Sequence, residues 1–413
     1  MSLVLSCPRV LTGESDLGPG WVRIGSGQVL DVGTGEPPGP VDVGLPDGVL
    51  VPGLVDAQVN GAFGIDLANA DPAGWAEVAA RLPSTGVTGF LPTLTSGPVD
   101  DLVAGVRRHR EVLRLLRSLP GAARSLGVHL EGPFLAPVRR GVHPSEHLRR
   151  PDPEIASRLL DLAAEGSLAC VTLAPELPGA LSLVTDLTAA GVRVAVGHTE
   201  AGEDDVLAAV SAGATLVTHL FNAMPPLHHR AVGPIGVALT DPRLTCGLIA
   251  DGQHVAPRMI RLALGSAPGR VMLVTDAVAA LGLPPGRYRL GDREIITTAG
   301  GGPAVAADGT LAGGCLPLDA MVDVTVAAGV PLRDAVEAAT GVPSAALGRP
   351  DLGRLAPGCP ADVVWLAPAP GTTAFRARAT WVGGRLAHDD GTRPELDRLR
   401  DRNDPGSVPP SPA

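Results

Sequence analysis

From about residue 85 the chain alternates short apolar runs, rich in β-branched residues, with longer Ala/Leu/Arg-rich stretches at helical spacing. The runs are VTGFLPT (87–93), LGVHLEG (126–132), LACVTLAP (168–175), RVAVGHT (193–199), TLVTHLF (215–221), LTCGLIAD (244–251) and RVMLVTDA (270–277), and LVDAQVN (54–60) precedes them. Each is nearly continuous in apolar character, as a strand buried on both faces must be. Eight such strands interleaved with helices predict an α/β fold, a (β/α)8 barrel spanning residues 51–352.

The two ends break this rhythm. Residues 1–50 (LVLSCPRVL, GWVRIGSGQVLDVG) and 353–388 (GRLAPGCPADVVWLAP, ATWVGGRLAH) carry short strands and turns without a helical period. Both flanks are expected to pair into one small β-sandwich beside the barrel. The last stretch, 389–413, is charged and then Pro/Ser-rich, and is expected to be disordered.

In a barrel of this kind the active site lies at the C-terminal ends of the strands, so polar residues that close an apolar run are the ones to examine. They accumulate strand after strand: Gln58 and Asn60, Glu131, His198, His219, Asp251 and His254, and Asp276. A lone histidine closing a strand is ordinarily a satisfied core residue. Two histidines, a glutamate and an aspartate at the same end of different strands are not accounted for in that way.

Glu131, His198 and His219 make a one-carboxylate, two-imidazole set, which suits zinc or a similar divalent ion with a position left open for water. Asp276, on the last strand, is then free to take a proton from that water and pass it to a leaving group; a direct metal ligand or a helix N-cap are its other readings. His129, two residues before Glu131, shares its side of the strand and is read as a barrel-interior or supporting residue rather than a ligand. His228 and His229 read as loop residues, and His109 and His388 have no apolar-strand context.

Composition narrows the chemistry. With 413 residues, 45% of them hydrophobic and 18% charged, the chain can bury a large core. A net charge of -10 with no basic run argues against nucleic acid and anionic membrane as partners and favours a small-molecule substrate. The N-terminus MSLVLSCPRV lacks a basic segment followed by a long apolar one, and a cytoplasmic location is expected. Cys7, Cys170, Cys246, Cys315 and Cys359 are widely spaced, odd in number and free of any CxxC, and are expected to be reduced. All 33 Lys and Arg residues are arginine, which removes Schiff-base chemistry, a P-loop lysine and a carboxylated-lysine metal bridge together.

VPGLVDAQVNG, HLEGPFL, GVH, VTLAPE, VGHTEA, THLFNAMPPL, IADGQHV, LVTDA and LAGG, followed by GRLAPGCPADVV, occur in this order. Together they resemble the N-acetylglucosamine-6-phosphate deacetylase family of the amidohydrolase superfamily. The resemblance implies a (β/α)8 barrel with a flanking β-sandwich, a homodimer, and removal of acetate from an acetylated amino-sugar phosphate. It implies Glu131, His198 and His219 as metal ligands, Asp276 as the acid/base and His143 as the group that polarises the acetyl carbonyl. It also implies Asn222, the backbone of Ala223 and His254 as sugar-phosphate contacts, with Arg230 reaching the phosphate from the neighbouring subunit.

The chain departs from the pattern where HLEGPW reads HLEGPF and where the arginine loop reads PPLHHRAVGP. The superfamily often ends its first strand in His-x-His and bridges two metals with a carboxylated lysine. Here Gln58 and Asn60 take those histidine positions, and neutral amides are poor zinc ligands beside imidazole. One divalent ion per subunit is therefore expected, zinc foremost, with Fe2+, Mn2+ and Co2+ as alternatives. The competing readings are a deacetylase of the galactosamine isomer, a hydrolase of cyclic amides or dipeptides, and a non-catalytic sugar-phosphate-binding barrel.

Overall fold

The computed structural model describes residues 2–298, 302–393, 395 and 396. Eight parallel strands run in sequence order around a barrel: β1 (Leu54–Val59), β2 (Val87–Thr95), β3 (Val128–Glu131), β4 (Leu168–Leu173), β5 (Arg193–Val196), β6 (Leu216–Val217), β7 (Thr245–Leu248) and β8 (Val271–Leu273). A helix follows each, from Pro72–Arg81 after β1 to Leu318–Ala327 after β8. Every residue of β1 is buried, because the barrel interior takes one face and the helix ring the other.

The helices start where local chemistry tells them to. Asp71 and Asp152 each accept a hydrogen bond from the backbone N–H three residues on, at 2.8 and 2.9 Å, and each precedes a proline in the first turn. The acceptor satisfies an orphan donor and the proline needs none.

Barrel closure is uneven. Neighbours from β1 to β8 pair by parallel ladders. Among the described residues no ladder joins β8 to β1; past the end of β8, Ala277 bridges Val59, and the Ala277 carbonyl accepts the Asn60 and Gly61 N–H groups at 2.7 and 3.0 Å. Below that bridge the seam is held by the Asp56 side chain, which accepts from Thr275.

The termini form two four-stranded sheets over a shared core that includes Leu5, Val22, Ile24, Trp365 and Trp381. One sheet is built from residues 2–44 alone. The other is ordered Arg385–Asp389, Phe375–Val382, Val363–Pro368, Val49–Pro52. Its last strand straddles the expected boundary at 50/51, so the chain leaves this sheet and enters the barrel within two residues. The expectation of disorder from 389 onward needs correction at its start: Asp389 ends a strand and Leu396 is fully buried in the terminal core. Residues 394 and 397–413 lie outside the described residues.

Two further differences concern the barrel. The apolar runs 215–221 and 270–277 are strand only at Leu216–Val217 and Val271–Leu273, since their polar ends turn into the barrel mouth. Between β8 and the helix that follows it, a stretch expected to be plain barrel, three short segments pair as an antiparallel sheet (Arg287–Leu290, Arg293–Ile296, Val305–Ala306) with a small core that includes Val278, Leu290 and Ile295. Its strands are short and half exposed, so no apolar run announces them.

Candidate metal centre and active site

At the C-terminal mouth of the barrel lies a cavity of about 320 Å³. Glu131, His143, His198, His219, Asn222, Ala223, His254 and Asp276 all line it. Arg230 does not: it is exposed on its loop, with Nη1 2.9 Å from His229 Nε2.

Three donors converge on one point. Glu131 Oε1, His198 Nε2 and His219 Nε2 are separated by 3.2, 3.0 and 3.0 Å, forming a nearly equilateral triangle. Ligand atoms held at about 2.0–2.1 Å by a tetrahedral ion stand only slightly farther apart than this. His198 Nδ1 lies 2.8 Å from the Arg139 carbonyl, so it carries the proton and leaves the Nε2 lone pair facing inward. That lone pair meets a carboxylate oxygen and a second imidazole nitrogen, an arrangement that calls for a cation in the middle. Burial works against an ionised Glu131, but the two histidines outweigh it and hold the carboxyl well below its usual range.

Donor atoms of Glu131, His143 and His198 also lie within 4.8 Å of one another, which makes His143 an alternative third ligand. Its surroundings argue otherwise. The Ser96 N–H donates to His143 Nδ1 at 3.2 Å and the Ser96 hydroxyl lies 2.8 Å from the same atom, so the ring proton sits on Nε2. Burial pushes the His143 pKa down to about 3, keeping the ring neutral. His143 Nε2, 4.0 Å from Glu131 Oε2, is therefore an N–H donor at the edge of the triangle rather than a lone pair within it.

Asp276 faces the triangle from the far side of the seam. Its Oδ1 accepts from Gln58 Nε2 at 2.9 Å and Asn60 Nδ2 at 2.7 Å, and Gln58 Nε2 also reaches Glu131 Oε1 at 3.1 Å. Burial and the charge of Glu131 raise the Asp276 pKa. Gln58 thus bonds to both carboxylates and Asn60 to Asp276 alone, and β1 supplies no imidazole.

Backbone geometry marks the same residues. His198, His219, Ala223 and Asp276 have φ of 49°, 28°, 53° and 47°, a left-handed conformation that non-glycine residues adopt only under constraint. His198, His219 and Asp276 each turn away just past their strand ends in this way. Gly313 presses against this turn, and a Cβ there would come within 2.6 Å of the Asp276 carbonyl.

His254 is aimed by Asp251, whose Oδ2 lies 2.7 Å from His254 Nδ1 while Oδ1 accepts the Gln253 and His254 N–H groups. His129 stays inside the barrel, bonded to Thr93 and Thr172 at 3.2 and 2.7 Å. Sequence reasoning passed over Ser96 and gave Asp251 no task. It did not single out Asp56, although the alternation Asp56-x-Gln58-x-Asn60 puts three polar side chains on one face of an apolar strand, which is a usable signal.

A barrel closed by helices, with two imidazoles, a carboxylate and an aspartate at its mouth, defines a class. The chain belongs to the amidohydrolase family, whose profile matches residues 49–387. Among its relatives, the N-acetylglucosamine-6-phosphate deacetylase of Bos taurus is 40% identical over 355 residues, covering 82% of this chain and 83% of that protein. The N-acetylgalactosamine-6-phosphate deacetylase of Escherichia coli O157:H7 is 36% identical over 393 residues, covering 94% of this chain and 100% of the other. The solved structure of the Mycobacterium smegmatis N-acetyl-D-glucosamine-6-phosphate deacetylase superposes with a TM-score of 0.85 at 38% identity, covering 93% of this chain and 99% of that one.

Proposed function

We propose that this chain hydrolyses the acetamide of N-acetylglucosamine-6-phosphate to glucosamine-6-phosphate and acetate. The observation that carries the reading is the triangle of Glu131, His198 and His219 with Asp276 and the His143 N–H beside it. Its likeness to the deacetylases named above supports the substrate.

Amide hydrolysis needs water activated for attack, a donor for the carbonyl oxygen and a proton for the departing nitrogen. Glu131, His198 and His219 would hold one divalent ion, zinc foremost, with Fe2+, Mn2+ and Co2+ also suited to the donor set. When bound, the ion supplies Lewis acidity, lowering the pKa of water from about 15.7 to roughly 7. Asp276 takes the water's proton as the oxygen adds to the carbonyl carbon. His143 donates its Nε2–H to the developing oxyanion. Asp276 returns the proton to nitrogen as the C–N bond breaks. A carboxyl whose pKa burial has raised is matched to both halves of that task.

Asn222, the Ala223 backbone and His254, with its Nε2 turned to the cavity by Asp251, serve the sugar phosphate. Arg230 is assigned to the phosphate of a neighbouring subunit in a homodimer, a reading supported by its exposure away from its own cavity. A cytoplasmic location accords with a phosphorylated substrate and unpaired cysteines. The test is steady-state acetate release from N-acetylglucosamine-6-phosphate and from unphosphorylated N-acetylglucosamine, with and without chelator. Equal rates for the two sugars, or indifference to chelation, would refute it. The Escherichia coli relative, matched over its full length, favours one second reading, the galacto isomer. A kcat/KM higher for N-acetylgalactosamine-6-phosphate would establish that instead.

A further inference from the structure

Asn60 carries an acceptor that the fold leaves unanswered. Its Nδ2 donates to Asp276 Oδ1 at 2.7 Å, and this fixes the orientation of the amide, because only the nitrogen can donate to a carboxylate. Its Oδ1 is buried and has no hydrogen-bond partner among the described residues. The residue is 3% exposed and lines the active-site cavity. A buried carbonyl oxygen without a donor is unfavourable, so one kept at the wall of a cavity points to a ligand that brings the donor.

We propose that Asn60 Oδ1 accepts the N–H of the substrate's scissile acylamino group. The inference rests on the deacetylase reading above and adds a residue to it. An amide nitrogen leaves only after it is protonated, and the proton must arrive along the nitrogen lone pair. Once water has added to the carbonyl carbon, that nitrogen is pyramidal and bears one N–H and one lone pair, free to rotate about its bonds. The Asn60 amide holds its own nitrogen against Asp276, so an N–H anchored on Asn60 Oδ1 lies beside that carboxyl. The lone pair, a tetrahedral angle away, is then kept toward the proton that Asp276 carries. The proton passes to nitrogen, the oxyanion re-forms the carbonyl as the C–N electron pair leaves with nitrogen, and the products are the amine and acetic acid, which ionises to acetate. Gln58 holds Asp276 Oδ1 from a second direction at 2.9 Å, so the carboxyl keeps its place throughout.

The 2-O-acetyl ester of glucose 6-phosphate isolates this contact, since its scissile oxygen has no hydrogen to donate. Loss of the Asn60 Nδ2 donor disturbs Asp276 for both compounds, whereas loss of Oδ1 affects the amide alone. In Asn60→Ala, kcat for the amide is expected to fall roughly 10- to 100-fold further than kcat for the ester. Asn60→Asp retains an acceptor oxygen, and its amide-to-ester ratio is expected to stay within about threefold of the wild type even as both rates fall. An equal loss on both compounds in Asn60→Ala, or a collapsed ratio in Asn60→Asp, overturns the proposal. Zinc content and thermal midpoints of the two variants separate these outcomes from misfolding. Failure of the underlying reading has its own signature, full activity of Asp276→Asn with Asn60 intact.

Discussion

Asp56 on the first barrel strand and Thr275 at the end of the last are joined side chain to backbone and side chain to side chain. The Thr275 N–H donates to Asp56 Oδ1 at 3.1 Å and the Thr275 hydroxyl to Oδ2 at 2.5 Å. Because no ladder joins β1 to β8 among the described residues, this carboxylate stands in for the missing backbone bonds, one residue before Asp276.

Asp56→Ala removes an acceptor from three buried donors, counting the Gln58 N–H at 3.3 Å. Orphaned buried donors cost about 1–3 kcal/mol apiece before relaxation, so a stability loss of roughly 2–4 kcal/mol is expected. Urea midpoints check it. A fall in kcat larger than that in Asp56→Asn should accompany it, because Thr275 positions Asp276.

Asp319 predicts a pH dependence of stability. It is buried, and burial raises its pKa to about 6 although the Ala377 and Ala320 N–H groups favour its charged form. A carboxyl with a raised folded-state pKa binds more protons folded than unfolded between its two values, so stability falls as pH rises through that window. Relative to Asp319→Asn, the wild type should gain up to about 3 kcal/mol as pH drops from 7 to 4. Denaturant titrations at the two pH values decide, and a flat difference would remove Asp319 as the cause.

Removing a triangle member should remove the ion. His198→Ala is expected to purify with well under one equivalent of zinc and to lose at least about a thousandfold in kcat/KM, as catalysis by a bound ion requires. Elemental analysis of dialysed protein reads the first outcome directly. Retention of stoichiometric zinc would instead bring His143 into the ligand set.

Asp276→Asn and His143→Ala should differ in kind from that variant. Both should keep their metal while kcat falls roughly 10²- to 10⁴-fold, the range for a lost proton shuttle or oxyanion donor. In His143→Ala, restoring an N–H donor as His143→Gln should recover part of the rate.

Arg230→Ala tests the assembly. The expected outcome is a KM raised roughly 10- to 100-fold for the phosphorylated sugar, the scale of a lost charge-assisted pair, with the unphosphorylated sugar unaffected. Mixing Arg230→Ala with Asp276→Asn chains should regenerate activity if the arginine serves its neighbour's site. A simple average of the two variants would show that each subunit works alone.

What could be read along the chain was whatever depends on periodicity and residue type. Short, nearly continuous apolar runs rich in β-branched residues read as buried strands, and their alternation with helices leaves few architectures open. Polar residues at their ends then fall at one mouth, which singles out Glu131, His198, His219 and Asp276 along the chain, whereas His143, on a loop, was reached only through the family resemblance. The absence of lysine and the amides at positions 58 and 60 also limited the metal chemistry through residue type alone. Other features depend on approach in space between distant segments. Ser96 sets the His143 tautomer across 47 residues, Asp56 closes the seam with Thr275 across 219, and the small antiparallel sheet brings Leu290 to the cavity wall without any apolar run of its own. The left-handed turns that aim His198, His219 and Asp276 belong to this second group, because strand propensity argues against them and only the surrounding packing holds them in place.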